Sequence, residues 1–426
     1  MSKKLSKEQN IIVYVMSIPA GAAASIHAYN KKEKTKYRIM LLWDSKVRMT
    51  DGKDKDADIL VTCDMSQPDK IAAALLPYQD ELLAITCRSE QSMGRFAKVL
   101  PHVPYLRTPT TESLHWASDK YLMRRRLKTY NAKITPEFTL VTENTKNERE
   151  RVVKKIGFPM IIKPTNLSGS LFVSVCYHEE DLEKTLRNTF RKLRKAYEQD
   201  KRIEEPRLIA EEFMDGDMYS IDSYVNARGI VTHCPLVKVV TGKKIGHEGF
   251  QGYLQITPPV FKKTTVEKAE EVAEAAIHAL GLRSSIAHTE LMKIDDEWKV
   301  VEIGARMGGF RHVLHKLTCD IDHSINDVLV RIPKNPVIPK KCNSYACAMK
   351  WFSNKEGRIK EMKGIKKIET LDSFHSITVN KKVGDRAVFA HNGGRSIFNL
   401  FLHNTDRSKL LADIRRVEQL VNIKVE

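Results

Sequence analysis

No stretch of the chain approaches the ~20 consecutive apolar residues of a membrane span, and the lysine-rich start, MSKKLSKEQN, runs into a short strand-like segment without a signal-peptide cleavage site. A cytoplasmic protein is expected. Cysteine is sparse and irregular: the seven, at 63, 87, 176, 234, 319, 342 and 347, are an odd number with no repeated short spacing, and Cys342 and Cys347 form the one near pair. That pattern argues against a disulfide framework and a zinc site, and for a reducing compartment. Two glycine signatures are also missing. Gly21 stands without the second and third glycines of a dinucleotide fingerprint, and no GxxxxGK[ST] stretch exists, which excludes the P-loop class. Acidic residues are in deficit, 53 against 71 Lys and Arg, for a net charge of +18. Such an excess raises nucleic acid as a partner. The denser basic groups (Arg124 to Arg126, Arg191 to Lys195, Lys340-Lys341, Lys366-Lys367) fall in different segments without interleaved aromatics, however. A solvated basic surface is the simpler account, and an anionic substrate such as a nucleotide needs only a few of these charges.

What the 426 residues do contain is enough for several cores, roughly two to four domains. The opening segment alternates strand-like and helical runs: Ile11 to Met16, an Ala-rich stretch to about Tyr29, Arg38 to Trp43, Asp58 to Cys63, Pro68 to Leu76 and Leu82 to Cys87. This spacing predicts an open α/β layer of βαβ units. Prolines 101, 104 and 109 then break the chain, and Ser118-Asp119 caps a helical run from Tyr121 to Thr129 with Lys120 in its first turn. A lysine there is either a surface charge or a group recruited by an anion.

Further on, Phe158 to Lys163 reads as a buried strand ending in lysine, followed by a loop through Ser168, Gly169 and Ser170 and a second strand to Cys176. The loop is either an anion cradle with Lys163 as its point charge or an ordinary hairpin turn. Leu182, Leu186, Phe190, Leu193 and Tyr197 mark the core face of an amphipathic helix. In the strand Leu208 to Phe213 the adjacent acids Glu211 and Glu212 point to opposite faces, so one faces inward unless the strand is an edge. Pro235 to Pro259 reads as a long loop and a candidate lid. Thr264-x-x-Glu267 predicts a capping box for a helix stopped by Gly281. His312 to Val330 is expected to be helical, and a proline-rich link leads to an α+β tail closed by a helix from Ser408 to Val421.

The most informative stretch is SIAHTELMKIDDEWKVVEIGARMGG, ending at Gly309. Two apolar runs flank Asp295-Asp296, predicting a β-hairpin with Glu290 in one strand and Glu302 in the other. The acids are either solvated or compensated by a divalent cation. Opposed residues of an antiparallel pair share a face and have a constant residue-number sum. A two-residue turn at Asp295-Asp296 sends Glu290 and Glu302 to opposite faces, so joint cation binding demands a three-residue loop or a bulge. Gly304, Arg306 and Gly308-Gly309 then supply open backbone and a guanidinium suited to phosphate or carboxylate.

Taken in order, Asp-Lys at a helix start, strand-Lys-Pro with a Ser/Gly loop, Glu-Glu-Phe-Met-x-Gly and Glu-x-x-x-Arg-x-Gly-Gly resemble the ATP-grasp superfamily. Within it, His288-Thr-Glu290 and EIGARMGG look most like the L-amino acid ligases and carnosine-synthase-like dipeptide ligases. The resemblance implies an α/β and α+β multidomain chain: an N-terminal open α/β (pre-ATP-grasp) layer over 1–110, an ATP-grasp fold over 111–332 with a lid at about 135–206, and a small C-terminal α+β domain over 343–426. It implies that Lys120 and Lys163 hold ATP phosphates under the Ser168-Gly169-Ser170 loop. Glu211 would accept from the adenine amino group, and the backbone of Glu212 and Met214 would meet the ring edge. Glu290 and Glu302 would bind magnesium or manganese, with Arg306 and Lys163 steadying the transferring group. Two departures stand out: Met218 where an acid usually holds the ribose, and Gly304 where Asn usually supplies a metal ligand. The implied activity is ATP-dependent joining of a small-molecule carboxylate and an amine through an acyl phosphate, with an amino acid as a substrate. The rival readings are a ligase whose acceptor is an amino sugar, polyamine or thiol, and a nucleotide-binding regulator or nucleic-acid binder with a decayed site. Neither membrane nor nucleic acid is expected as a partner, and a homodimer is a candidate assembly.

Overall fold

The structure, a computed structural model, describes residues 8–167, 169–199, 206–246 and 249–426. The N-terminal strands β1 (Ile11–Val15), β2 (Arg38–Asp44), β3 (Ile59–Cys63) and β4 (Leu82–Thr86) form a parallel sheet in the order β3-β2-β1-β4. Strand β1, IIVYV, is buried throughout. A parallel strand covered on both faces needs such an unbroken apolar run. The expected α/β layer is therefore present.

A second, antiparallel sheet comprises β5 (Phe138–Val141), β6 (Met160–Pro164), β7 (Ser174–Cys176) and β8 (Leu208–Glu212), ordered β5-β8-β6-β7. The helix Glu179–Gln199 lays Leu182, Leu186, Phe190, Leu193 and Tyr197 into the core beneath it, as its periodicity predicts.

The third sheet is the largest. It takes β9 (Asp217–Val225), β10 (Val231–His233), β11 (Val237–Thr241), β12 (Gly252–Thr257), β13 (Ser285–Ile294) and β14 (Glu297–Gly304). The segment beyond the proline-rich link supplies β15 (Tyr345–Trp351), β16 (Gly357–Lys363), β17 (Phe374–Val379), β18 (Arg386–Ala387), β19 (Phe398–Asn404) and β20 (Asn422–Val425). The main path runs β14-β13-β9-β11-β12-β15-β19-β17, while β18-β16-β20 make a small separate sheet. Strand β12 pairs with β15, so the C-terminal segment continues the central sheet, and Tyr253 and Leu254 of β12 share a core with Phe398, Leu400 and the helix Arg407–Leu420.

Four local expectations are corrected. The expected loop from Pro235 to Pro259 is largely the paired strands β11 and β12, whose alternation β-branched residues such as Val237 and Val239 sustain; His247 and Glu248 lie outside the described residues. The helix after it begins at Lys263 with Lys262 as an N-cap that makes no side-chain bond, so the Thr264 capping box does not form. Gly281, in the left-handed region at φ +61°, ends that helix as expected. The helix expected from His312 to Val330 is two, Arg311–Cys319 and His323–Leu329, divided at Asp320, whose φ of 54° breaks the hydrogen-bond ladder. Cys319 and Cys342 form a disulfide across 23 residues, while Cys63, Cys87, Cys176, Cys234 and Cys347 are free and buried. Pairing over such a span is set by folded proximity and leaves no short-spacing signature in the chain.

Candidate functional site

Asp119 caps the helix Lys120–Tyr130 by accepting from the Leu122 N–H, which sets Lys120 at the first helical position. Lys120, Met123, Arg124 and Leu127 form the buried face of that helix. The Lys120 ammonium donates to the Leu167 carbonyl at 2.7 Å and pairs with Glu302 at 2.9 Å. From β6, Lys163 pairs with Glu211 at 2.8 Å. These groups border a cavity of 450 Å³ between the second and third sheets.

Strand β8 is internal, between β5 and β6, so its adjacent acids separate inward and outward as the strand geometry requires. Glu211 is 2% exposed and accepts both from Arg124, Nε at 2.8 Å and Nη2 at 3.0 Å, and from Lys163. Glu212 lies on the other face near Lys299, at 3.7 Å. Burial pushes the Glu211 carboxyl up, but Arg124 and Lys163 outweigh it and hold the group at about 2. Burial pulls the Lys163 ammonium below its ordinary value against the opposing pull of Glu211.

Of the sequence-derived site residues, Lys120, Lys163, Ser170, Glu211, Glu212, Met214, Glu290 and Glu302 line this cavity. Gly169, at φ +71°, turns the loop beside Ser170 without lining it. Ser168 lies outside the described residues. Arg306 sits next to the cavity and not in its wall, bonded through Nε to Glu90 at 2.5 Å.

The hairpin resolves the parity question. Ile294 pairs with Glu297, so Asp295-Asp296 is a two-residue turn, and Leu291 pairs with Val300; beyond a register shift, Glu290 faces Glu302 and His288 faces Gly304. Val301 is the extra residue of a β-bulge, and it brings the two acids to one face. The core positions record the switch: Trp298 and Val300 are buried, and after the bulge Ile303 and Ala305 are.

Behind Glu290, the His288 ring lies 3.2 Å from Asp222 through Nδ1 and 3.6 Å from Glu290 through Nε2. Burial opposes charge on His288, but Asp222 outweighs it and raises the imidazole above its ordinary value. Asp222, fully buried, also accepts from the Gly308 N–H at 2.7 Å and lies 3.3 Å from Arg311. A Cβ at Gly308 would come within 2.4 Å of the His288 ring, which explains a glycine in this place. Burial pushes the Glu290 carboxyl up, while His288, Arg306 and Arg311 outweigh it and keep the carboxyl below its ordinary value.

Sequence reasoning missed Glu90, Asp222 and Arg124 as parts of this neighbourhood. For Glu90 the available signal was its place just past the carboxyl end of β4, where parallel sheets gather ligands. For Arg124 it was the i, i+4 spacing from Lys120 on one helix face.

The described residues hold one further gathering of metal-type side chains, Cys234, His315 and His323, with donor atoms within 4.8 Å of one another. The Pro235 carbonyl can only accept, so His315 Nε2 donates to it at 3.1 Å. His315 Nδ1 must then accept from His323 Nε2 at 2.8 Å, and His323 Nδ1 from the Tyr224 hydroxyl at 2.6 Å. Burial lowers both imidazoles, His315 to about 4, in keeping with this neutral chain. The ring nitrogens are spent on their hydrogen bonds.

Residues 156–313 match the family model of the ATP-grasp domain. Alanine--anticapsin ligase of Bacillus subtilis (strain 168) is 24% identical over 328 residues, 73% of this chain and 66% of that protein. D-alanine--D-alanine ligase of Flavobacterium johnsoniae is 26% identical over 185 residues, 43% of this chain and 53% of that protein. The aligned part thus spans about two thirds or less of these relatives. Among solved structures, the L-amino acid ligase from Bacillus licheniformis superposes with a TM-score of 0.79 at 15% identity, covering 99% of this chain and 100% of that one. Phosphoribosylglycinamide synthetase from Anaerococcus prevotii gives 0.66 at 18% identity, covering 98% and 100%. The fold is shared with these solved structures over nearly the whole chain, and within it residues 156–313 match the ATP-grasp domain.

Proposed function

Because the chain carries an ATP-grasp domain, we propose that it is an ATP-dependent carboxylate–amine ligase, acting through an acyl phosphate, with an amino acid among its substrates. The observation that carries this reading is the convergence of Lys120, Lys163, Glu290 and Glu302 on one cavity of 450 Å³. A substrate carboxylate oxygen attacks the γ-phosphorus of ATP and ADP leaves. An amine nitrogen then attacks the acyl carbon, phosphate departs and the nitrogen loses its extra proton.

Such a reaction asks the protein for charge neutralisation, alignment and exclusion of water. Lys120 and Lys163 meet the phosphates, the former leaving its ion pair with Glu302 to do so. Glu211 would accept from the adenine amino group, the backbone of Glu212 and Met214 would meet the ring edge, and Arg306 would steady the transferring group or the acyl phosphate; the first three line the cavity. Glu290 and Glu302, opposed on one face, are hard oxygen donors of the kind magnesium or manganese takes and would hold such a cation, to which Gly304 would offer no side-chain oxygen. When bound, the cation neutralises charge on the transferring phosphoryl group. Asp217 is drawn toward Lys238, 3.6 Å away, and Met218 offers no acceptor, so ribose recognition is expected to contribute little.

The test is ADP release on pools of carboxylates and amines, with mass analysis of the products. An amide containing an amino acid is expected. A product with an amino sugar, polyamine or thiol acceptor would reassign the acceptor, and ATP binding without ADP release on any pool would overturn the enzymatic reading.

A further inference from the structure

The guanidinium of Arg124 is fully buried and uses all five of its N–H groups. Nε and Nη2 grip Glu211 at 2.8 and 3.0 Å, Nη1 reaches Thr135 at 3.4 Å, and the remaining two bonds go to the backbone of β14: Nη1 to the Val300 carbonyl at 2.6 Å and Nη2 to the Val301 carbonyl at 2.8 Å. Peptide planes alternate along a regular strand, so consecutive carbonyls point to opposite sides. One guanidinium can hold both only where a bulge has turned one peptide round. Val301 is that bulge residue, and β14 is the edge strand, whose outward carbonyls have no ladder partner.

We infer that Arg124 is a positioning residue that pins the bulge and thereby keeps Glu302 on the face of Glu290. The inference rests on the cation-binding reading of these two acids given above. With the bulge lost and the two-residue turn kept, regular pairing would set Val301 opposite Glu290 and turn Glu302 to the other face. Without Arg124, the buried Val300 carbonyl and the half-buried Val301 carbonyl lose their donors, and sliding of the bulge along the strand is no longer opposed. Glu211 is the complementary half of the device, because its two-point grip orients the guanidinium plane toward β14.

The experiment reads manganese binding in the presence of ADP from the spectrum of free manganese, with no turnover required. Arg124→Lys keeps a charge beside Glu211 but cannot reach both carbonyls. It is expected to weaken manganese binding by about tenfold or more, with a smaller change in ADP binding measured in chelator. Deletion of Val301 removes the bulge while leaving Glu290 opposite Glu302 and Leu291 opposite Val300, the pairs already present. That deletion should retain manganese, and Arg124→Lys in its background should lose far less than in the full chain. Unchanged manganese binding in a folded Arg124→Lys, or the same loss with and without Val301, overturns the inference. If Arg124→Lys does not fold, the deletion alone decides, and loss of manganese there is the negative result. Absence of any manganese binding by the wild-type protein with ADP would instead overturn the site reading itself.

Discussion

Lys163 and Glu211 form one buried ion pair at 2.8 Å. Lys163→Ala removes the charge proposed to meet the phosphates but leaves Glu211 neutralised by Arg124, so the variant is expected to keep its fold and lose ATP-dependent ligation. Wild-type turnover in that variant would count against the site. For Glu211 the pH dependence has a definite sign. Its carboxyl is depressed from 4.5 to about 2 in the folded chain, so its contribution is present above the unfolded value and is lost as pH falls through that interval. Glu211→Gln should flatten this acid limb. At neutral pH it should cost about 3 kcal/mol, because two buried cations then lose their carboxylate. Urea denaturation of both proteins at neutral and acid pH checks this, and an equally steep acid limb in the variant would show that another group carries it.

At the level of the hairpin, the pairing of Glu290 with Glu302 makes a specific linkage prediction. A cation that binds between the two carboxylates binds only the folded chain, so magnesium with nucleotide should raise the melting temperature. At a hundredfold excess over the dissociation constant the stabilisation is about 2.7 kcal/mol. Glu302→Gln should remove most of that shift, and an intact shift in the variant would place the cation elsewhere. The bulge was foreseeable in outline as one of two ways to bring the acids together. Its position was also written in the apolar alternation, which passes from Trp298 and Val300 to Ile303 and Ala305. The second glycine-bearing segment shows the opposite case. Pro235 to Pro259 reads as a loop because its glycines and charges mask the alternation of β11 and β12, which only their sheet neighbours β9 and β15 make worth forming.

Across the whole molecule, the C-terminal segment belongs to the central sheet. Removing residues 343–426 would strip β15 from β12 and expose Tyr253 and Leu254, which are 4% and 8% exposed in the intact chain. An unpaired edge of that kind invites association. The truncated chain is therefore expected to aggregate or unfold without a cooperative transition. A monomeric 1–342 chain that melts like the full chain would show that the central sheet ends at β12. The same continuity places the cavity between sheets that β8 and β9 connect, through the short turn at Gly216, where a Cβ would meet the Lys293 carbonyl at 2.3 Å.

By itself the chain singled out the candidate groups: two lysines at element ends, two acids in a hairpin, and an arginine before a glycine pair. Those are local facts, since caps, strand ends and apolar periodicity act over a few residues. The cap at Asp119 and the core face of Glu179–Gln199 stand as the residues predicted. Tertiary structure decided what those groups face. Arg124 looked like surface charge and is among the most buried side chains, because its acceptors are Glu211, 87 positions away, and the Val300 and Val301 carbonyls, 176 and 177 away. Glu90 reaches Arg306 over 216 positions, and Cys319 finds Cys342. Contacts at such separations are set by how sheets pack, and no periodicity in the chain encodes them.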